Sequence, residues 1–314
     1  MKAGKSIRVL AVAVVTLSLV ACGGAGGGGG GGGQGGGDKS VVVGSKNFTE
    51  QFVLGELYAQ ALEADGYTVE KKLNLGSEQI ADQALQSGEI DMYPEYTGTS
   101  LGAIFDFKEL NSLTEPSASY DKAKELYAKR DPAATLLPYA NFNNNFTLVA
   151  TKEAADEYGL KTVSDLEKAA PNLVFASYSE FENRGDARPN VEKNYPGIKD
   201  FKDTVIVNDL GLRYKGLAEG EADIGVGFLT DGQLASDQLV TLEDTKKIWP
   251  LYYPAPVVNN DFLKENPDAK KTINAVTETL DAETMQRLNG QVDLEKEDPE
   301  NVAAEFLQQE GLVE

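Results

Sequence analysis

Two stretches 132 residues apart carry the same junction, and that junction constrains the fold more than any other feature. Ala84-Leu85-Gln86-Ser87-Gly88-Glu89-Ile90-Asp91-Met92 and Gly216-Leu217-Ala218-Glu219-Gly220-Glu221-Ala222-Asp223-Ile224 place Leu, Gly, Glu and Asp in register. Each reads as a helix stopped by glycine and followed at once by a strand. The same offset maps Tyr96 onto Phe228, so each half presents an aromatic just past its strand. Helix-to-strand junctions of this kind are common, so the match argues for similar architecture in two halves, not for duplication.

The surrounding pattern fits that reading. Val41-Val42-Val43-Gly44 predicts a buried strand, 47–65 a helix stopped by Gly66, 68–73 a strand, 78–86 a helix and 90–93 a strand. In the second block, 172–176 predicts a strand, 209–219 a helix and 223–228 a strand. This order calls for α/β layers with a largely parallel sheet. The tail predicts helices over 269–280, 282–289 and 299–309. Residues 252–259 contain Pro254 and Pro256, which remove ladder donors, so an edge strand or an interlobe crossing is expected there. Two α/β lobes, with the tail returning to the first, would leave a cleft where a small ligand sits.

Composition narrows the chemistry. The 314 residues include no histidine and one cysteine, which excludes Ser-His-Asp and Cys-His sites, His-ligated zinc, thiolate clusters and an internal disulfide. A formal charge of −21 argues against a nucleic-acid partner. No metal or cofactor is expected.

The N-terminus reads as an address. Lys2, Lys5 and Arg8 precede an apolar run of 12 residues over 9–20, suited to a signal-peptide core and short for a membrane span. Leu19-Val20-Ala21-Cys22 resembles the lipobox of bacterial lipoproteins, which implies a signal peptide over 1–21 and a lipidated Cys22. Residues 23–37 hold 13 glycines, a flexible tether with a reach of roughly 20 Å. The expected location is therefore extracytoplasmic, lipid-anchored to the cell membrane.

Three loops carry candidate chemistry. Gly44-Ser45-Lys46-Asn47-Phe48-Thr49-Glu50 joins a strand end to a helix start, where anions are favoured and Lys46 could meet a carboxylate. Tyr93-Pro94-Glu95-Tyr96-Thr97-Gly98-Thr99 is a rigid aromatic turn whose tyrosines serve either as core plugs or as binding surfaces. Arg184 lies in a polar loop of the second half and can grip a carboxylate in bidentate fashion, or simply be solvated.

The runs VVVGSKNFTEQFVLGELYAQALE and ALQSGEIDMYPEYTGT, with the end LNGQVDLEKEDPENVAAEFLQQEGLV, resemble the substrate-binding proteins of ABC importers for glycine betaine, choline and carnitine. The resemblance covers roughly 41–314. It implies a two-lobed periplasmic-binding-protein-like α/β fold (type II) with the ligand cleft between the lobes. Lobe 1 would comprise 41–142 and 251–314, lobe 2 143–250, and 22–40 the lipidated cysteine and tether. It also implies a monomer that captures a quaternary ammonium compound in an aromatic box and delivers it to membrane permease subunits. Carried over position by position, Tyr96, Phe146, Phe228 and Tyr252 match the box walls, Thr99 a polar contact, and Lys46 and Arg184 the carboxylate-binding positions. The two phenylalanines depart from an all-tyrosine box.

Physical chemistry supports such a site. A trimethylammonium group has no N–H to donate, and aromatic faces attract it by about 0.5–2 kcal/mol each. Lys46 and Arg184 would favour a betaine over choline, because only a betaine brings a carboxylate. Three other readings compete. A glycosidase would use Glu50 and Glu95 as its carboxylate pair. A structural lipoprotein would explain the anchor but not the lobes. A binding protein for a polar amino acid would need an acidic partner for the α-ammonium.

Overall fold

The structure, a computed structural model, describes residues 39–208 and 212–314. The expected signal peptide, Cys22, the glycine tether up to residue 38 and the first turn of the helix expected over 209–219 lie outside the described residues. Among the described residues, no helix is long and apolar enough to cross a membrane.

The strands in chain order are β1 (Ser40–Gly44), β2 (Thr68–Lys72), β3 (Met92–Tyr96), β4 (Ala134–Leu136), β5 (Phe146–Thr151), β6 (Val174–Ser177), β7 (Asp203–Ile206), β8 (Ile224–Phe228), β9 (Leu239–Leu242) and β10 (Pro254–Asn259). They form two five-stranded sheets, ordered β2-β1-β3-β10-β4 and β7-β6-β8-β5-β9. In each, three parallel strands are followed by an antiparallel one, β10 or β5, which pairs on its other side with a short antiparallel strand. The α/β expectation and the likeness of the halves therefore hold at the level of sheet topology.

The repeated junction has the conformation its glycines require. Gly88 and Gly220 both have φ 73°, the left-handed region that a side chain disfavours. Gly88 stops the Glu78–Ser87 helix just ahead of β3, and Gly220 follows the Lys215–Ala218 helix just ahead of β8. Tyr96 and Phe228 are the last residues of those strands: Phe228 ends β8 at the end of the expected 223–228 strand, while β3 runs beyond the expected 90–93 to Tyr96.

Of the two alternatives for the proline segment, the edge strand is corrected. β10 is an interior strand between β3 and β4, not an edge. It tolerates Pro254 and Pro256 because β4 pairs only with Val257 to Asn259. Beyond that point the prolines need only accept: Leu137 N donates to Pro256 O at 2.8 Å and Ala140 N to Pro254 O at 2.8 Å. Pro256 faces Pro94 across the other ladder, so neither ring displaces a donor from its partner.

Apolar burial holds each sheet to its helices. Val41 and Val43 of β1 pack under the Thr49–Ala64 helix, which buries Val53, Leu54, Leu57, Tyr58 and Leu62. The tail helices Ala269–Glu278, Ala282–Asp293 and Pro299–Gln309 close the same core through Ile273, Val276, Leu288 and Phe306. The Tyr58 hydroxyl finds Thr277 Oγ1 at 3.0 Å, so its burial leaves no lone polar atom. Around the second sheet, Leu148, Phe175, Phe181, Val191 and Ile224 form another cluster, which also takes in Tyr96 and Tyr252 from the first-sheet side.

The two halves meet backbone to backbone at Gly232, between β8 and β9, and Gly290 in the Ala282–Asp293 helix. A Cβ on Gly232 would lie 2.4 Å from Gly290 Cα and 2.6 Å from its N, atoms that cannot swing aside. Gly232→Ala should therefore hold the lobes apart and raise the radius of gyration in small-angle X-ray scattering. An unchanged radius would show that the seam does not control closure.

Candidate functional site

Each of the seven residues singled out in the sequence lies at or close to one end of a strand or helix. The loop after β1 is pinned by Ser45 Oγ, which accepts from Asn74 N at 3.0 Å, and by Lys46 N, which donates to Gln51 Oε1 at 3.1 Å. That turn aims Lys46 inward and leaves it buried. Tyr96 ends β3, and Thr99 closes the short helical turn Thr97–Thr99 that follows. Phe146 opens β5 and Phe228 closes β8; the ladder sets them directly opposite, with ring centroids 5.5 Å apart. Tyr252 precedes β10 and meets Phe146 edge-on at 5.4 Å. Arg184 follows the Ser179–Asn183 helix beyond β6.

All seven line one cavity of about 60 Å³. Residues not singled out as site residues in the sequence join them, notably Phe48, Asn144, Tyr178 and Glu78. Phe48 lies 6.2 Å from Tyr96, stacked, and 5.3 Å from Phe228. It belongs to the same strand-to-helix loop that drew attention to Lys46. In the structure it is the helix N-cap, with extended backbone. Tyr178 holds the matching place after β6 in the second half.

The electrostatics differ from two free cations awaiting a carboxylate. Lys46 Nζ already pairs with the buried carboxylate of Glu95 and stands 4.6 Å over the Tyr96 ring. Arg184 makes a two-pronged contact with Asp186, Nε to Oδ1 at 3.0 Å and Nη2 to Oδ2 at 2.7 Å, and approaches Glu78 at 3.5 Å. Burial pushes Glu95 up, and the Lys46 ammonium only partly reverses it. Burial also acts on Asp186, but there the Arg184 guanidinium wins and holds the carboxyl below its ordinary value.

Both tyrosine walls are tied by their hydroxyls to buried carboxylates. Tyr252 donates to Asp186 Oδ2 at 2.7 Å and Tyr96 to Glu50 Oε1 at 2.7 Å. Burial, reinforced by those carboxylates, raises both phenols well above their usual range, so they stay neutral donors. Arg184 stands 5.4 Å over Phe146 and Arg213 4.6 Å over Phe228, which backs those rings with protein cations. Glu50 and Glu95, the pair a glycosidase would use, do not line the cavity. Glu50 is held by four neutral donors, and burial leaves its carboxyl above its ordinary value despite them.

The Tyr252 wall has no slack. A Cβ on Gly98 would meet Tyr252 Cδ1 at 2.7 Å and Leu251 O at 2.8 Å. Gly98→Ala should displace that ring and cost about 1–3 kcal/mol, the usual penalty for overpacking. The urea midpoint reads the loss, and an unchanged midpoint would mean the ring yields freely.

Comparison with known proteins follows the same lines. Residues 39–309 match the family described as the substrate binding domain of ABC-type glycine betaine transport systems. The chain is 35% identical over 281 residues to the glycine betaine-binding protein YehZ of Escherichia coli K12, covering 86% of this chain and 90% of that protein. It is 34% identical to the glycine-betaine-binding protein of Pseudomonas aeruginosa, covering 87% and 88%. Among solved structures, apo YehZ from Escherichia coli superposes with a TM-score of 0.64 at 31% identity, covering 87% of this chain and 99% of that one. A glycine betaine/carnitine/choline ABC transporter structure gives 0.68 at 29% identity, with the same coverage. The two-lobed periplasmic-binding-protein-like fold expected from the sequence is the fold of these neighbours. Their family is one of transport proteins, not enzymes, and this chain belongs to it: the substrate-binding domains of ABC-type glycine betaine transport systems.

Proposed function

We propose that this protein captures a quaternary ammonium compound, glycine betaine or a related betaine, outside the cytoplasm and hands it to the permease of an ABC importer. The observation that carries the reading is the single cavity walled by Tyr96, Phe146, Phe228 and Tyr252, with Lys46 and Arg184 at its edge. Several aromatic faces at about 0.5–2 kcal/mol each reach micromolar affinity for a cation that needs no hydrogen-bond partner. Thr99 offers a polar contact, and Lys46 and Arg184 offer their remaining N–H groups to a ligand carboxylate. Arg184 has five donors in all, of which Asp186 engages two at full hydrogen-bond distance.

Closure follows from the placement of the walls. Tyr96 and Lys46 belong to the first sheet's side, and Phe146, Arg184 and Phe228 to the second. We place the lobe limits at 41–142 with 251–314, and at 143–250. A ligand that touches both sides favours the closed arrangement by its differential contacts. Choline and carnitine are the related ligands, and names among the relatives include a carnitine transport binding protein of Listeria monocytogenes. A polar amino acid would need an acidic partner for its α-ammonium; of the two acids lining the cavity, Glu78 already approaches Arg184 at 3.5 Å, which leaves Glu180 for that role.

Isothermal titration calorimetry with glycine betaine, choline, carnitine and glutamate tests the assignment. Saturable binding of a quaternary ammonium compound with glutamate silent is expected; no such binding by the folded protein would refute it. Tyr96→Ala and Tyr252→Ala should each weaken binding at least about tenfold, or ~1.4 kcal/mol. Arg184→Ala should hurt a betaine far more than choline, and equal losses would remove its carboxylate role.

The body acts as a monomer held at the membrane through Cys22, whose diacyl group and glycine tether suit that task. Cys22→Ala should release the protein from the membrane fraction into the soluble one. Retention in the membrane fraction would exclude the anchor.

A further inference from the structure

The buried carboxylates around the aromatic cavity are not balanced alike. Glu95 has Lys46, Asp186 and Glu78 share Arg184, and Asp231 has Arg213. Glu50 is just as buried, at 2% exposure, yet among the described residues no lysine or arginine stands within ion-pair distance of it. Its partners are neutral. Tyr96 Oη donates to Oε1 at 2.7 Å and Asn144 Nδ2 to the same oxygen at 2.9 Å. Asn289 Nδ2 donates to Oε2 at 3.1 Å, and Thr230 Oγ1 also donates to Oε2. Hydrogen bonds of this kind satisfy the lone pairs and leave the charge uncompensated.

We infer that Glu50 is the counter-charge for the ligand's cation, acting through the Tyr96 wall without touching the cavity. This rests on the reading of the cavity as a quaternary ammonium site. Two cavity-lining side chains donate to Glu50, Tyr96 through its hydroxyl and Asn144 through its amide, and of the two only Tyr96 offers an aromatic face. A phenol that donates to a carboxylate is polarised towards its ring, which deepens the negative face a cation meets. Lys46 stands over the same ring, but Glu95 cancels it locally. Of the carboxylates bonded to this ring's side of the cavity, Glu50 is the one with no cation of its own.

The same hydrogen bonds tie the counter-charge to closure. Glu50 starts the Thr49–Ala64 helix and Asn289 lies in the Ala282–Asp293 helix, both packed on the first sheet. Thr230 follows β8 of the second sheet, and its carbonyl accepts from Asn289 Nδ2 at 2.8 Å. Thr230 reaches Glu50 from the second-sheet side, so its share in shutting water away depends on the lobes meeting. A dry carboxylate acts at range on a cation far more strongly than a hydrated one. Glu50 is thus a positioning and specificity residue, not a ligand contact.

The experiment compares choline with its uncharged isostere 3,3-dimethyl-1-butanol, which has the same shape and lacks the positive charge. Glu50→Gln keeps the side-chain volume and removes the charge. It should lower choline affinity about tenfold, the order expected for one buried charge at an effective dielectric near 20, and leave the neutral alcohol nearly unaffected. Tyr96→Phe keeps the ring and removes its own hydrogen bond to the carboxylate, while Asn144 still donates to it. It should lower the choline-to-alcohol ratio in the same direction by a smaller factor, and it carries the test if Glu50→Gln does not fold. A role confined to packing would weaken both ligands in parallel. A parallel loss, or an unchanged ratio in a wild-type background that binds choline, would overturn this inference alone. Wild-type protein that binds no quaternary ammonium compound would overturn the proposed function as well.

Discussion

Buried carboxylates hold this cleft together, and the positions of its aromatic walls depend on them. Asp186 fixes Arg184 by two hydrogen bonds and Tyr252 by a third. Glu95 fixes Lys46 and accepts from Tyr93 Oη at 3.2 Å and Tyr96 N at 2.7 Å. Glu50 gathers donors from four separate segments. A carboxylate removed from water is costly unless every lone pair is engaged, so each of these groups demands a specific set of neighbours. The cavity is rigid where its walls hang from such groups.

The fold supplies the other half of the explanation. In both sheets the parallel strands end at the same place, and ligands of open α/β sheets lie beyond those carboxyl ends. Tyr96 and Phe228 terminate the equivalent strands β3 and β8. The antiparallel β5 then brings Phe146 opposite Phe228, while β10 enters the first sheet just after Tyr252. Aromatic walls from two sheets converge because two similar topologies face each other. The Gly232–Gly290 contact allows that approach without an intervening side chain.

Much of this was legible in the residue pattern. The Gly88 and Gly220 junctions and the three tail helices follow from glycine conformation and helical periodicity, which are local properties. The seven site positions came from the GSKNFTEQ and YPEYTGT runs and their counterparts, and they line one cavity. Prolines 254 and 256 misled, since their effect depends on whether the neighbouring chain offers a donor or an acceptor at that register. Phe48 was in plain view within a quoted run. Nothing local distinguishes a side chain that faces the cleft from one that covers the helix start.

Sequence by itself determined the alternation of strands and helices, the stops between them and the chemical character of the cleft, because periodicity, glycine and aromatic residues act over a few neighbours. It also excluded the histidine- and thiol-based chemistries outright. Tertiary structure alone decided which acid meets which base: Lys46 with Glu95, Arg184 with Asp186 and Glu78, and Glu50 with no base among the described residues. Those pairings join residues as far apart as Glu78 and Arg184, so they are set by where the chain returns and not by what stands next to each residue. Burial then turns that geometry into electrostatics, since charge removed from water acts over distances that exposed charge does not.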